Sequence, residues 1–296
     1  MATIRTKIRF TALDAVVIAL LALAGVFLAH RIQTSLGYDW DWGAIAGYLV
    51  RFDQGSNSYV AGLITQGLLT TLRLSVFATI LATALGAVMG LLAVGKGFFS
   101  RLIVRAYVET VRNLPPLVLV FLFYFFFSDR LMTLIGLDQA VRSAPEWLQA
   151  TLSVLFAPPS LFTAFFSALL TLAVYEGAYI TEIVRAGIQS VEKGQWEAAN
   201  ALGLSRFQRM RHVIMPQAVR RILPPLTGQL ISTVKDSAIV SVISIQELTF
   251  QGMEAMAATY RTFEIWTTVL VLYLVVCLGL SLASRRLEVW MERRGG

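Results

Sequence analysis

The stretch Glu197-Ala198-Ala199-Asn200-Ala201-Leu202-Gly203-Leu204-Ser205-Arg206-Phe207-Gln208-Arg209-Met210-Arg211-His212-Val213-Ile214-Met215-Pro216 decides how this chain is read. It lies in a segment from about 185 to 225 whose apolar residues recur at helical spacing but are too diluted by polar ones to cross a membrane. The spacing predicts a helix-turn-helix lying on a membrane surface. Ile188, Val191, Ala198, Ala199 and Leu202 share the buried side of its first helix, and Gly203 supplies the left-handed cap that ends it. Ser205 fits the N-cap of the second helix, with Gln208 as the reciprocal partner of a capping box. Phe207, Met210 and Ile214 make the apolar face of that helix, and Pro216 stops it.

Outward from this hairpin the chain is apolar. Of its 296 residues 56% are hydrophobic and only 15% charged, a balance beyond that of soluble domains, so a bilayer is its natural solvent. Six segments approach the ~20 apolar residues of a helical span: roughly 11 to 29, 68 to 94, 114 to 128, 160 to 184, 223 to 246 and 264 to 284. The third is short, and the basic helix from Arg101 to Arg112 continues it at the surface, where long cationic side chains reach water. The formal charge of +7 falls in clusters flanking the apolar runs and not in one stripe, which argues against a nucleic-acid partner. Eighteen Lys and Arg lie in residues 1 to 10, 95 to 112, 185 to 221 and 285 to 296, against five in 30 to 58, 129 to 157 and 249 to 263. Cytoplasmic loops carry the excess, so both termini and the hairpin are expected in the cytoplasm. Arg73 and Lys235 are left over, within or at the edge of spans.

The first apolar run follows Arg5, Lys7 and Arg9 and has the look of a secretory signal, with Ala22-Leu23-Ala24 as a cleavage motif. Its continuation through Phe27-Leu28-Ala29 favours a retained helix. Tyr38, Trp40, Trp42 and Tyr48 then mark a segment along the outer interface, and residues 129 to 157 form a second outer excursion. No repeat of fixed period interrupts the chain. The expected organisation is residues 1 to 59 as an N-terminal transmembrane helix with its interfacial segment, and 60 to 296 as one membrane core. The single cysteine, Cys277, excludes disulfides and cysteine metal cages within one chain.

Glu197-Ala198-Ala199, three residues, Gly203, nine residues, then Val213-Ile214-Met215-Pro216 resembles the EAA loop of ATP-binding-cassette (ABC) importer permeases. Val213 and Met215 are conservative departures from its Ile and Leu. The resemblance runs from about Gly67 to Arg286 and favours the polar amino-acid branch, which includes permeases for histidine, glutamate, glutamine and arginine. Three passages carry it: Glu109-Thr110-Val111-Arg112-Asn113-Leu114-Pro115-Pro116-Leu117; the run from Tyr175 to Ile188; and Lys235-Asp236-Ser237 followed by Gln246-Glu247-Leu248. The extra N-terminal helix and the long excursion at 129 to 157 depart from the compact members.

The resemblance implies an all-α, polytopic membrane fold of about six transmembrane helices, a five-helix type I importer core plus one N-terminal helix. It implies a multi-pass chain in a bacterial plasma (inner) membrane. The hairpin, about 186 to 222, would be the coupling element seated on a separate ATPase subunit through Glu197, Ala198, Ala199, Gly203 and Pro216. Small side chains at Ala198, Ala199 and Gly203 would permit the close approach. The implied partners are a cytoplasmic ATPase dimer, an extracytoplasmic solute-binding protein and a second permease subunit, the same chain or a related one. ATP and magnesium would sit on the ATPase subunits, with no cofactor, metal or catalytic residue in this chain. Arg206, Arg209 and Arg211 would meet the ATPase or anionic lipid, or form a solvated basic face; His212 reads as a surface residue.

Ionisable groups inside spans cost on the order of 2.5 to 3.5 kcal/mol each, which singles out those that remain. Glu176, Glu182, Lys235 and Asp236 are candidates for a path between two permease subunits, Glu176 and Asp236 foremost. Self-pairing competes with that role: Glu182 with Arg185, and Glu109 with Arg112, are three apart on a helix. Gly86 and Gly90, four apart, allow close helix packing. The stretch from Gly90 to Lys96 imitates a phosphate-binding loop, but Gly97 stands where Ser or Thr must reach magnesium and a helix precedes it in place of a strand. An ion-coupled secondary carrier is the alternative. It should show two corresponding halves or paired broken helices, absent here, and has no need of the hairpin. A membrane-embedded enzyme should cluster catalytic residues, whereas His30 and His212 sit in different aqueous flanks.

Overall fold

The computed structural model describes residues 12 to 36, 38 to 55 and 57 to 294. It packs as two units, one ending at Ala44 and one beginning at Ile45. In the first, helix α1 (Ala12–Leu36) is apolar from Ala12 to Phe27. Beyond it, Trp40 meets Tyr38 edge-on at 5.2 Å and stacks on Trp42 at 6.0 Å. Arg5, Lys7 and Arg9 lie outside the described residues.

After α2 (Gly43–Leu49), the interfacial segment departs from the all-helical expectation: β1 (Val50–Asp53) and β2 (Ser58–Ala61) form an antiparallel hairpin, with Phe52 opposite Tyr59. Short alternating apolar residues and a turn rich in Gly and Asn suit a two-stranded ribbon, and Asn57 takes the positive φ of 47° that its side chain tolerates. The Phe52 and Tyr59 rings meet edge-on across the pair at 5.3 Å.

The helical body follows as α3 (Leu63–Val94), α4 (Phe98–Asn113), α5 (Pro116–Phe123) running through a wide π-turn into α6 (Asp129–Leu134), then α7 (Leu137–Arg142), α8 (Glu146–Leu155) and α9 (Phe162–Gln189). Next come α10 (Lys193–Ala201), α11 (Arg206–Arg209), α12 (Met215–Asp236), α13 (Leu248–Thr259) and α14 (Thr262–Arg294). Among the described residues four stretches are long and apolar enough to cross a membrane: Leu63–Val94, Pro116–Leu134, Phe162–Gln189 and Thr262–Trp290.

The segment expected to span at 223 to 246 is not one of the four. It stays helical only to Asp236, passes into a 3-10 turn over Ser237–Ile243 and closes at Ser244 with φ 62°. This helix packs against α9, α3 and α14, so protein and not lipid surrounds much of it, and an all-round apolar surface is not required.

The α3 and α9 helices are the centre of the body. A side chain at Gly86 would come within 2.6 Å of Ile180 Cγ2, and one at Gly90 within 2.6 Å of Val184 Cγ1, so both positions need glycine for the helices to lie this close. Leu74, Ala78, Val120, Phe165, Leu172 and Val240 form the apolar core beside that seam. A second cluster, with Val184, Ile188, Val191, Ile214 and Ile222, carries the seam down to the hairpin.

Candidate coupling hairpin and polar path

The hairpin forms as its residues require, with three corrections to the sequence reading. Gly203 has φ +71°, the left-handed conformation expected of a glycine ending α10. Ser205 Oγ accepts from the Gln208 N–H at 3.3 Å while Gln208 Oε1 accepts from the Ser205 N–H at 2.9 Å, which completes the capping box.

The first correction concerns the buried side. Val191 and Ala199 are buried and Ile188 belongs to the end of α9, but Ala198 is exposed, Leu202 is 78% exposed and Phe207 is 69% exposed. The hairpin therefore presents Ala198, Leu202 and Phe207 outward around Gly203, an apolar tip that a helical pattern alone assigns to the inside. The second concerns Pro216, which does not stop the helix. A π-turn over Met210–Ile214, with the Met215 N–H donating to Met210 O, widens the helix just ahead of it. Pro216 then sits in the first turn of α12, where its missing N–H costs little. The third concerns the hairpin's cations: Arg209 lies over the Trp196 ring at 5.6 Å and Arg211 over Phe207 at 6.0 Å, so both pack on aromatic faces. His212 is exposed, its Nδ1 3.1 Å from Gln208 O.

Several contacts fix this element to the helical body. Ile214 and Val191 are buried in the cluster with Ile188 and Ile222. Gln217 Nε2 donates to Gln195 Oε1 at 3.1 Å, and Arg221 donates to the carbonyl of Ser190. Packed side chains and hydrogen bonds thus join the hairpin to α9 and α12. Glu197 lies beside Lys193 at 3.4 Å with both side chains in solvent, a pair that contributes little to stability.

Farther along α9, Glu176 is 0% exposed. Gln229 Nε2 of α12 donates to its Oε2 at 2.5 Å, while its Oε1 has no hydrogen-bond partner. Asp236 is drawn to the same place and interacts directly with Glu176, so the structure brings together the two carboxylates singled out in the sequence. Tyr175 and Tyr179 line the helix beside them with hydroxyls 3.4 Å apart, and the Arg112 guanidinium lies 5.4 Å from the Tyr179 ring centre.

Glu182 is not part of this group. Arg185 donates to both of its oxygens, at 2.6 Å in the shortest contact, which makes the self-paired reading correct there. Glu109 pairs with Arg105 at 2.6 Å and not with Arg112, because the i,i+4 geometry leaves Arg112 free to reach Tyr179. Lys235 is exposed. Tyr107 on α4 donates to Val174 O at 2.6 Å, and burial raises its phenol above the ordinary value, so it remains a neutral donor. Among the described residues no three His, Cys, Asp or Glu side chains are grouped to hold a metal ion.

Two functional features escaped the sequence reading. Gln229 stands seven residues before Asp236 and so shares its face of α12, a spacing that marks it once Asp236 is suspected. Glu247 is fully buried at the start of α13, where it accepts from the Phe250 N–H at 2.7 Å, from Tyr273 Oη at 2.9 Å and from Thr71 Oγ1 at 3.3 Å. It ties α3, α13 and α14 together, which no local pattern reveals.

With this geometry in place, comparison with known proteins is informative. Residues 82–294 match the family of binding-protein-dependent transport system inner membrane components. The chain is 35% identical over 243 residues to the glutamine transport system permease protein GlnP of Escherichia coli K12, covering 82% of this chain and 99% of that one. It is 31% identical over 258 residues to the glutamate/aspartate import permease protein GltJ of the same organism, covering 86% of this chain and 97% of that one. A crystal structure of an amino acid ABC transporter with histidines superposes with a TM-score of 0.64 at 31% identity, over 85% of this chain and 99% of that one. The inward-facing MetNI methionine ABC transporter shares the fold, with a TM-score of 0.58 at 20% identity over 77% of this chain and 96% of that one. The chain belongs to the family of binding-protein-dependent transport system inner membrane components, and it is a membrane permease subunit of an ABC importer.

Proposed function

We propose that this permease imports a polar amino acid across a bacterial inner membrane, with its termini and hairpin in the cytoplasm. It works beside a second permease subunit, receives its substrate from an extracytoplasmic solute-binding protein and is driven by two cytoplasmic ATPase subunits that hold ATP and magnesium. The observation that carries the coupling role is the exposed tip of Ala198, Leu202 and Phe207 around Gly203. It is an apolar knob on a hairpin rigidly joined to α9 and α12, as a surface that seats in a groove of another protein requires. Glu197 at its side and Pro216 at its base complete the coupling element. Relatedness to permeases named for glutamine and for glutamate and aspartate supports the substrate class.

Glu176 and Asp236 then belong to the translocation path. Two carboxyl groups between helices, one with an oxygen that makes no hydrogen bond among the described residues, suit the ammonium group common to amino acids. The chain itself needs no nucleotide site, because hydrolysis occurs on the partner.

The test is affinity purification of the tagged chain from its native membrane in mild detergent, with every stoichiometric partner identified by mass, followed by uptake of labelled amino acids. Recovery of an ATPase, lost in Leu202→Asp and Phe207→Asp variants, is the expected result. A stable assembly without any ATPase would return the ion-coupled carrier to first place.

A further inference from the structure

Arg73 is a cation that the coupling hairpin and the acidic pair leave unused. It stands on α3 ten residues beyond Leu63, about 15 Å along a helix that begins next to the interfacial β-hairpin. Its Nη1 reaches only the carbonyls of Ser153 and Phe156, each at a long 3.4 Å. Among the described residues no carboxylate pairs with it, and its Nε and Nη2 make no hydrogen bond.

The guanidinium borders a cavity of about 260 Å³. Thr70 and Gln66 of α3, Gln251 of α13, and Ser244 and Gln246 of the preceding turn supply its polar lining. Gln251 is only 5% exposed as a residue, and its side-chain amide makes no hydrogen bond to the described protein, which leaves its donor and acceptor open to a molecule in the cavity. Ser244 holds φ +62°, a strained conformation for a side-chain-bearing residue that accumulates where structure serves a ligand.

A cation without a counter-charge and a buried amide without a partner call for the same thing, a small anion with planar oxygens. A guanidinium fork matches a carboxylate through two parallel hydrogen bonds. The cavity lies just below the roughly 300 to 1,000 Å³ of drug-sized sites, which suits one small molecule and excludes a lipid with its chains.

We propose that Arg73 and Gln251 form a carboxylate subsite at the outer end of the translocation path, which holds the α-carboxylate of the incoming amino acid. This subsite rests on the amino-acid importer reading and on the orientation given there. It is a separate place from the acidic pair, whose two residues do not line this cavity.

The test uses the assembled transporter with its ATPase, in proteoliposomes with binding protein for uptake and in lipid nanodiscs without binding protein for equilibrium binding. ATP-driven uptake with binding protein first shows which of glutamine, glutamate and arginine the wild type imports; equilibrium binding of that labelled amino acid and of its α-carboxamide follows. Arg73→Gln should weaken the free acid about tenfold or more, as expected for a hydrogen-bonded charge. The carboxamide should be nearly unaffected, and Arg73→Lys should recover part of the loss. Gln251→Leu should weaken the free acid in the same direction and serves if the Arg73 variant does not assemble.

Acid binding unchanged in both variants overturns the subsite, as does equal weakening of acid and carboxamide. A wild type that imports an amino acid but binds no free acid overturns it as well, with the importer reading intact. A wild type that imports none of these three, nor histidine, aspartate or any other polar amino acid, overturns the amino-acid reading and the subsite with it.

Discussion

Gln229 Nε2 donates to Glu176 Oε2 at 2.5 Å, joining α12 to α9 between residues 53 apart in the chain. It links the buried carboxylate of one helix to the helix that carries Asp236. Gln229→Leu removes this donor from a fully buried carboxylate, at a cost of about 1 to 3 kcal/mol. A lowered unfolding temperature in detergent is expected. Glu176→Gln keeps the shape and a bonding partner but removes the charge, so its unfolding temperature should stay near that of the wild type while uptake falls about tenfold or more. Wild-type uptake in Glu176→Gln removes this residue from the path.

Gly203 is the joint of the hairpin. A β-branched residue at φ +71° is strained by roughly 1 to 2 kcal/mol, and Gly203→Val should tilt α10 relative to α11 without disturbing the rest of the body. Combined with Glu197→Ala, it should separate ATP hydrolysis from uptake while the protein remains in the membrane. Parallel measurement of hydrolysis and uptake in proteoliposomes decides the point. Normal substrate-driven transport by the double variant would sink the coupling assignment.

The α3 and α9 seam depends on the absence of a side chain at Gly86. Gly86→Val places new atoms against Ile180, and overpacking of this kind costs about 1 to 3 kcal/mol. Expression and thermal unfolding should both suffer. Adding Ile180→Ala should recover much of the loss, since it opens the space the valine needs; failure of this second change to help would mean that another contact governs the position.

Glu247 stabilises three helices from one position. Glu247→Ala loses the N-cap of α13, about 1 kcal/mol, and leaves Tyr273 and Thr71 without their shared acceptor, for a further 1 to 3 kcal/mol or so. Tyr273→Phe alone should cost about 1 kcal/mol. Because both act on one network, the double variant should lose less than the sum, and strictly additive unfolding free energies would separate the two residues.

The legible part of the site was local. Gly203 as a left-handed cap and the Ser205 to Gln208 capping box depend on residues within one or two turns of each other, so their spacing states the geometry. The Glu182 to Arg185 pair follows from three-residue spacing on one helix. The same local logic failed where the neighbourhood supplies the answer. Leu202 and Phe207 fit an apolar face by periodicity, yet among the described residues both stay largely exposed. Pro216 reads as a helix stop until the π-turn before it makes room. Glu109 has cations on both sides in sequence, and the competing attraction of Arg112 to Tyr179 selects Arg105.

By itself, then, the sequence determined that the chain lives in a bilayer, that a surface hairpin interrupts its spans and that the hairpin resembles the EAA loop, because hydropathy, capping and glycine conformation are properties of short runs of residues. Only the tertiary structure decided which polar groups meet: Glu176 with Gln229 and Asp236, Glu247 with Thr71 and Tyr273, and Arg73 at a cavity with no carboxylate partner among the described residues. The physical reason is distance along the chain. A buried polar group takes whatever partner packing brings within hydrogen-bonding reach, and helices far apart in sequence supply that partner here.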